Sequence, residues 1–514
     1  MISEGKILAG KNENGDGFYL LPQMANRHGL IAGATGTGKT VTLKVLAEGF
    51  SELGVPVFLS DVKGDLSSIA KPGELSDNLK ERLSKLGIAE EAFPFTGFPT
   101  EIFDVYGKTG IPLRTTISEM GPALLARILD LNDLQTDLLT IAFKIADDNQ
   151  LLLIDTKDLK AVLNYMGENN AEFAAAYGNI SKVSISAIIR SVVAMETAGG
   201  EIFFGEPAIN INDLFGRDMN GRGQINVLDS RSLIQNGTLY ALFLLYLMSE
   251  LFETLPEVGD LPLPKMVFFF DEAHLLFKDM PKVLLEKIEQ VVKLIRSKGV
   301  GIFFITQNPR DIPDGVLGQL GNKIEHALRA YTPADQKAVK AAAQSFRENP
   351  NFKTEDAISA LGTGEAIVSF LDADGIPMIC DRATILPPKS RLGSITDAER
   401  DTTVKSSMLY SKYATPHDPD SAFEFLQRKG LAEAAEAEQA VNAAQYEKEA
   451  AKQKKQSDAA KKRAAKSVGN AVVGTVGREV GKNLGKSFGS FGKTLGGNVG
   501  ASLGRGLLST LFKF

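Results

Sequence analysis

The sequence predicts an α/β fold built on a central, mostly parallel sheet, with a helical insertion and a C-terminal tail that is first helical and then Gly-rich. Three observations predict it. Short continuous apolar runs recur and stop at a glycine or a polar residue: Leu30-Ile31-Ala32, Val55 to Asp61, Gln224 to Asp229, Met266 to Asp271 and Val300 to Thr306. Runs of this kind are the pattern of strands covered on both faces, as parallel sheets require. Segments with helical spacing of apolar residues lie between them, among them Val41 to Phe50 and Val283 to Lys298. Finally, 44% of the 514 residues are hydrophobic, enough for a large core and more than one folded unit.

The earliest run leads into Gly33, Ala34, Thr35, Gly36, Thr37, Gly38, Lys39 and Thr40, and Val41 continues into a helix. Strand, glycine loop and helix in this spelling form a P-loop, G-x-x-x-x-G-K-[ST]. Glycines let backbone N–H groups close around phosphate oxygens with no Cβ in the way. The start of the following helix adds positive potential and unpaired donors. Gly33 to Val41 are therefore the expected cradle for ATP. Lys39 is expected to reach its β- and γ-phosphates, and the Thr40 hydroxyl to ligate Mg²⁺.

Taken in order, residues 5–22 read as a strand pair around a turn at Asn14-Gly15-Asp16-Gly17. The strand Val55 to Asp61 ends in a carboxylate, and Val62-Lys63-Gly64-Asp65 follows at the edge where open α/β sheets bind ligands. Asp61 and Asp65 are either site neighbours or plain turn residues. Between about 110 and 222 the spacing turns helical, in Ile117–Leu131, Leu134–Ala146, Lys157–Gly167 and Ser181–Thr197. After the strand ending at Asp229 and a long apolar helix from about Thr238 to Glu253, the run Val267-Phe268-Phe269-Phe270-Asp271-Glu272 has the Walker B pattern. Asp271 is expected at the strand's carboxyl end, facing the Mg²⁺ beyond Thr40, with Glu272 placed to polarise the attacking water. His274 reads as a structural hydrogen-bonding residue or a substrate contact. Gln307, ending the strand Val300 to Thr306, is a γ-phosphate sensor or a turn residue. Further strands are expected at Lys323–Ala330, Glu365–Leu371 and Ile376–Ile379, with a helix at Ala334–Phe346.

The net charge of −6 hides an asymmetry: from Ala451 onward the chain carries about +11, and the residues before it about −17. Leu431 to Lys466, rich in Ala, Glu and Lys, reads as a solvated helix. Beyond it, glycines recur every four residues, at Gly477, Gly481, Gly485 and Gly489 and again at Gly492, Gly496, Gly500 and Gly504. That spacing permits close helix–helix approach, while so much glycine opposes a helix in water. A tail ordered only by a protein partner, a membrane surface or nucleic acid is expected. The single cysteine, Cys380, excludes an internal disulfide and reads as buried filler. The apolar stretch Leu239–Leu255 is broken by Ser249, Glu250 and Glu253, so no transmembrane segment and a cytoplasmic location are expected.

With these motifs in place, the chain resembles the HerA/FtsK superfamily of P-loop motor ATPases, and within it the bacterial HerA-helicase-like group. The resemblance rests on the P-loop, on Ile225-Asn226-Val227-Leu228-Asp229, on Phe270-Asp271-Glu272-Ala273-His274, and on Arg296-Ser297-Lys298-Gly299 followed by Ile305-Thr306-Gln307-Asn308-Pro309. It implies a RecA-like sheet, a homo-oligomeric, hexameric ring and ATP-driven movement of DNA. It also implies that Arg296 acts as an arginine finger on a neighbouring subunit's ATP; Arg310 and Arg329 are weaker candidates. The expected organisation is an ATPase core in residues 1–110 and 223–390, a helical insertion at 111–222, a polar linker and charged helix at 391–466, and the basic Gly-rich tail at 467–514. The expected function is a DNA translocase or helicase-like ATPase; a nucleotide-switched assembly or protein-remodelling ATPase that ignores DNA is the alternative.

Overall fold

One mixed sheet of thirteen strands organises the chain in the computed structural model, which describes residues 1–465 except 198 and 278–281. Across the sheet the order is Ile2–Ser3, Lys6–Lys11, Asp381–Ile385, Glu365–Ser369, Asn322–His326, Gly29–Ala32, Val300–Thr306, Met266–Phe270, Val57–Asp61, Ile225–Asp229, Thr100–Asp104 and Ile111–Pro112, with Gly17–Leu20 paired to Lys6–Lys11. From Asn322–His326 to Ile111–Pro112 every neighbouring pair is parallel; the remaining pairs are antiparallel. The mostly parallel α/β sheet expected from the apolar runs is the sheet that forms.

Those runs are continuous because both faces are covered. Val267 and Phe269 enter one core with Ile31, Leu59, Phe303 and Ile305, while Phe268 and Phe270 enter the other with Leu30, Phe58, Ile302 and Phe304. The period of two persists under a uniformly apolar surface. The helix Lys39–Glu52 covers the first face, burying Leu43, Leu46 and Phe50. The second face is covered by the helix Gly237–Thr254 and by apolar residues of Ile117–Ile128, Asp133–Asp148, Thr156–Glu168 and Lys182–Thr197. Local signals start the first three of these last four helices: Thr116 with Glu119, Asn132 with Gln135 and Asp155 with Asp158 form reciprocal capping boxes.

Two differences from the sequence reading have simple causes. The strands Thr100–Asp104 and Ile111–Pro112 extend the parallel sheet although their apolar runs are too short to announce them. The strand expected at Ile376–Ile379 forms instead at Asp381–Ile385. Asp372 turns the chain, accepting from the Ile376 N–H at 2.9 Å, and Pro377 cannot donate to a ladder, so Ile376 and Ile379 stay exposed.

The segment after Pro388 is pinned to the core. Glu48 on the helix Lys39–Glu52 accepts from the Lys389 N–H (2.7 Å), the Ser390 N–H (3.1 Å) and the Ser390 hydroxyl (2.5 Å), and Lys44 donates to the Arg391 carbonyl at 2.6 Å. Further along, Arg400 pairs with Asp229 at 3.1 Å, Tyr413 donates to Asp213, and Asp158 accepts from the Ser421 hydroxyl at 2.5 Å. Cys380 is buried and free.

The chain divides into two units, 1–431 and 432–514. In the second, residues 432–465 belong to the long helix Ala422–Ala465, and through residue 449 none of their side chains is buried. The glycine repeat from Gly477 to Gly504 lies outside the described residues. Among the described residues, no helix is long and apolar enough to cross a membrane.

Candidate nucleotide site

The P-loop leaves the strand Gly29–Ala32 at the carboxyl edge of the sheet and closes on its own lysine. Gly33 (φ 144°) and Gly38 (φ 118°) take backbone conformations that side chains rarely adopt. A Cβ at Gly33 would sit 2.5 Å from the Cβ of His326, and one at Gly38 would sit 3.2 Å from Gly364 Cα. The loop is thus pressed from behind by neighbouring backbone. Lys39, 6% exposed, donates to the carbonyls of Gly33 (2.7 Å) and Ala34 (2.9 Å). Burial lowers its pKa, opposed by the charges of Glu272, Asp271 and Glu325. Thr40 and Val41 follow in the first turn of the helix, and Thr35 and Gly36 form the exposed rim of the loop. Thr37 turns back to donate to the Ala34 carbonyl at 2.7 Å.

The acidic pair arrives from two strands away. Met266–Phe270 pairs in parallel with Val300–Thr306, which pairs in parallel with the P-loop strand, so Asp271, Glu272 and Gln307 leave the same edge as Lys39. Asp271 is 1% exposed, and its Oδ2 has no hydrogen-bond partner among the described residues. Burial pushes its carboxyl up to about 7, against the pull of Lys63. Glu272 is 4% exposed, at φ 48° in the left-handed region that a glutamate avoids. Gln307 bridges the two halves of the site: its Nε2 donates to both Glu272 oxygens at 3.3 and 3.2 Å, and its Oε1 accepts from the Thr35 hydroxyl at 3.2 Å. His274 places Nδ1 3.3 Å from Glu272 Oε2 without hydrogen-bond geometry.

Other residues singled out in the sequence fall elsewhere. Asp61 is a turn residue: its carboxylate accepts from the N–H groups of Gly64 (2.6 Å), Leu66 (3.0 Å) and Ser67 (3.3 Å). Asp65 stands closer to the site, its charge acting on Asp271. Arg329 donates to the carbonyls of Ser359 and Leu361, and Arg310 is exposed just past Gln307. Arg296 lies at the opposite, amino edge of the sheet, in a single turn preceding Val300–Thr306, 3.9 Å from Asp260. That strand of seven residues spans roughly 23 Å, so Arg296 is remote from its own Lys39.

Three residues near the site were given no role in the sequence reading, although the loop that carries Lys63 was expected at this edge. Glu325 is the penultimate residue of the strand beside the P-loop strand, in register with Ala32, and is 2% exposed. Burial pushes its carboxyl up to about 8, opposed by Lys39, and Oε1 has no hydrogen-bond partner among the described residues. His326 backs the loop: Nδ1 lies 2.9 Å from the Glu365 carbonyl and Nε2 2.8 Å from the Thr42 hydroxyl. The carbonyl can only accept, so Nδ1 carries the proton and Nε2 accepts from Thr42. Lys63 reaches Glu272 Oε1 at 2.5 Å. No apolar run leads to Glu325, since Asn322 and Lys323 open its strand, so the strand-end signal used for Asp271 does not mark it.

The residues present suit a hard divalent cation. A buried carboxylate with one unpartnered oxygen beside a phosphate-binding loop is the donor that Mg²⁺ takes.

Sheet, P-loop and acidic pair together define a RecA-like P-loop NTPase core. The chain belongs to the helicase HerA-like C-terminal family, whose profile matches residues 6–513. It is 24% identical over 354 residues to the DNA double-strand break repair helicase HerA of Sulfolobus acidocaldarius, an alignment covering 67% of this chain and 62% of that protein. It is 22% identical over 384 residues to the protein of the same name from Sulfurisphaera tokodaii, covering 72% and 67%. The chain thus spans about three-fifths of the length of the first relative. Among solved structures it is similar to the bacterial conjugative coupling protein TrwBdeltaN70 (TM-score 0.47, 14% identity, 76% of this chain and 91% of that one) and to VirB4 of Thermoanaerobacter pseudethanolicus (0.46, 17%, 75% and 97%).

Proposed function

We propose that this chain is an ATP-hydrolysing motor that works as a hexameric ring and moves along DNA. The observation that carries the ATPase reading is the pairing, at one sheet edge, of a buried lysine wrapped by its own glycine loop with a buried aspartate that has an oxygen to spare. Lys39 exchanges two loop carbonyls for the β- and γ-phosphate oxygens of ATP. Gly33 to Val41 supply backbone N–H groups, with the helix start behind them. Thr40 and Asp271 would hold Mg²⁺, which neutralises charge on the phosphates. Glu272 orients a water and takes its proton. Gln307, bonded to both Glu272 and Thr35, reports the γ-phosphate to the base. Arg296, a sheet's length from its own P-loop, reaches the ATP of a neighbouring subunit.

DNA as the track is supported by the relatives, which are named as DNA double-strand break repair helicases. The test is ATPase rate with and without duplex DNA across a salt series. A stimulated rate that falls steeply with salt is expected, since phosphate contacts release counterions. No response at low salt would remove DNA and leave a nucleotide-switched assembly factor acting through its C-terminal tail.

A further inference from the structure

Glu272 is gripped from two sides. The strand order runs from the P-loop strand through Val300–Thr306 and Met266–Phe270 to Val57–Asp61. Gln307 therefore reaches Glu272 from the P-loop side and Lys63 from the far side. The far-side contact is the closer one: Lys63 Nζ lies 2.5 Å from Glu272 Oε1, against 3.2 and 3.3 Å for Gln307 Nε2. The same ammonium lies 4.0 Å from Asp271 Oδ2. Its anchor is firm, because the three N–H bonds to Asp61 fold the loop that carries it and Arg231 packs against Gly64. The Lys63 side chain is 42% exposed on a four-carbon stem, while the Glu272 carboxylate is buried. The lysine can leave; the glutamate, at its left-handed backbone position, has little freedom.

We infer that Lys63 is a positioning residue that restrains Glu272 before turnover, drawing its carboxylate toward the side of the sheet away from the P-loop. The inference rests on reading Glu272 as the base. A general base must offer a lone pair to water at about 2.6–3.2 Å, and here Oε1 is occupied by an ammonium. Separating that pair is a step toward reaction, and its cost is part of the barrier. The site geometry opposes a phosphate-binding role for this lysine, since its loop stands on the strand farther from the P-loop than the Walker B strand itself.

The experiment is steady-state ATPase kinetics on the full chain. Lys63→Gln and Lys63→Met should each raise kcat about three- to tenfold, the rate equivalent of ~0.7–1.4 kcal/mol, and leave the KM for Mg·ATP within about twofold of wild type. Lys63→Arg, which keeps a cation on Oε1, should bring kcat back toward wild type. In a Glu272→Gln background the Lys63→Gln gain should vanish. A kcat that is unchanged or lower, or a large rise in KM, overturns the inference and makes Lys63 a phosphate ligand or a bystander. The reading beneath it fails separately: Glu272→Gln alone turning over at the wild-type rate removes the base, whatever Lys63→Gln does.

Discussion

The two edges of the parallel sheet hold charge in opposite ways. At the carboxyl edge Lys39, Asp271, Glu272 and Glu325 are all buried, and Asp271 Oδ2 and Glu325 Oε1 are left without hydrogen-bond partners among the described residues. At the amino edge Arg27 and Arg296 share one half-exposed carboxylate, Asp260, at 3.4 and 3.9 Å. Leaving buried charge unsatisfied is expensive, whereas solvent-screened ion pairs contribute little either way. On the function proposed above, the first edge is where a polyanion and a metal would complete the structure, and the second is where a cation is held loosely enough to be lent to another subunit.

The most severe way to break this contrast is Lys39→Ala. It should abolish hydrolysis and the calorimetric heat of Mg·ATP binding; retained binding would detach the buried edge from the nucleotide. Next is Arg296→Ala, expected to lower kcat about a thousandfold while leaving the apparent thermal midpoint unchanged. Mixing it with Glu272→Gln subunits should recover activity, because each supplies what the other lacks. If mixed rings stay inactive, the amino edge is not lent to a neighbour.

A smaller effect comes from His28, at the amino edge, which ties the helix Lys282–Ile295 to the strand Val300–Thr306. Its Nε2–H donates to the Val292 carbonyl at 2.8 Å, and its Nδ1 accepts from the Ile302 N–H at 3.1 Å. Burial, with Arg296 adding to it, drops its pKa to about 4, so it folds neutral. The unfolded chain protonates it below about 6.5. Its contribution is therefore complete above pH 6.5 and declines by up to ~1.4 kcal/mol per pH unit down to about 4. His28→Asn should cost about 2 kcal/mol at pH 7.5, and the gap in urea midpoints between variant and wild type should narrow toward pH 5. A gap that stays constant with pH would show that the ring is not neutral in the fold. Smallest of all, Asp260→Asn should change stability by no more than about 0.5 kcal/mol; a larger loss would mean that the amino edge is as tightly built as the other.

Much of the candidate site was legible because it is local. Gly33 to Thr40 lie in one stretch, and the pattern of four apolar residues before Asp271-Glu272 marks a strand end by itself. Gln307 follows from the same rule. Lys63 and Glu325 were not legible, because their meaning depends on which strand lies beside which. Nothing in Val62-Lys63-Gly64 says that Val57–Asp61 neighbours the Walker B strand. Likewise Thr100–Asp104 joins the sheet through pairing with Ile225–Asp229, a partner more than a hundred residues away, with little apolar run of its own.

From the amino-acid order alone came the phosphate loop, the acidic pair and the parallel character of the sheet, since each is written in neighbouring residues through backbone sterics, strand burial and period. Folding in three dimensions decided which charges face one another: the glutamate between a glutamine and a lysine, the carboxylate behind the P-loop, and the arginine stranded at the far edge. The reason is that electrostatic contact depends on distance in space and on burial, and strand order, which sets both here, is a property of the assembled sheet.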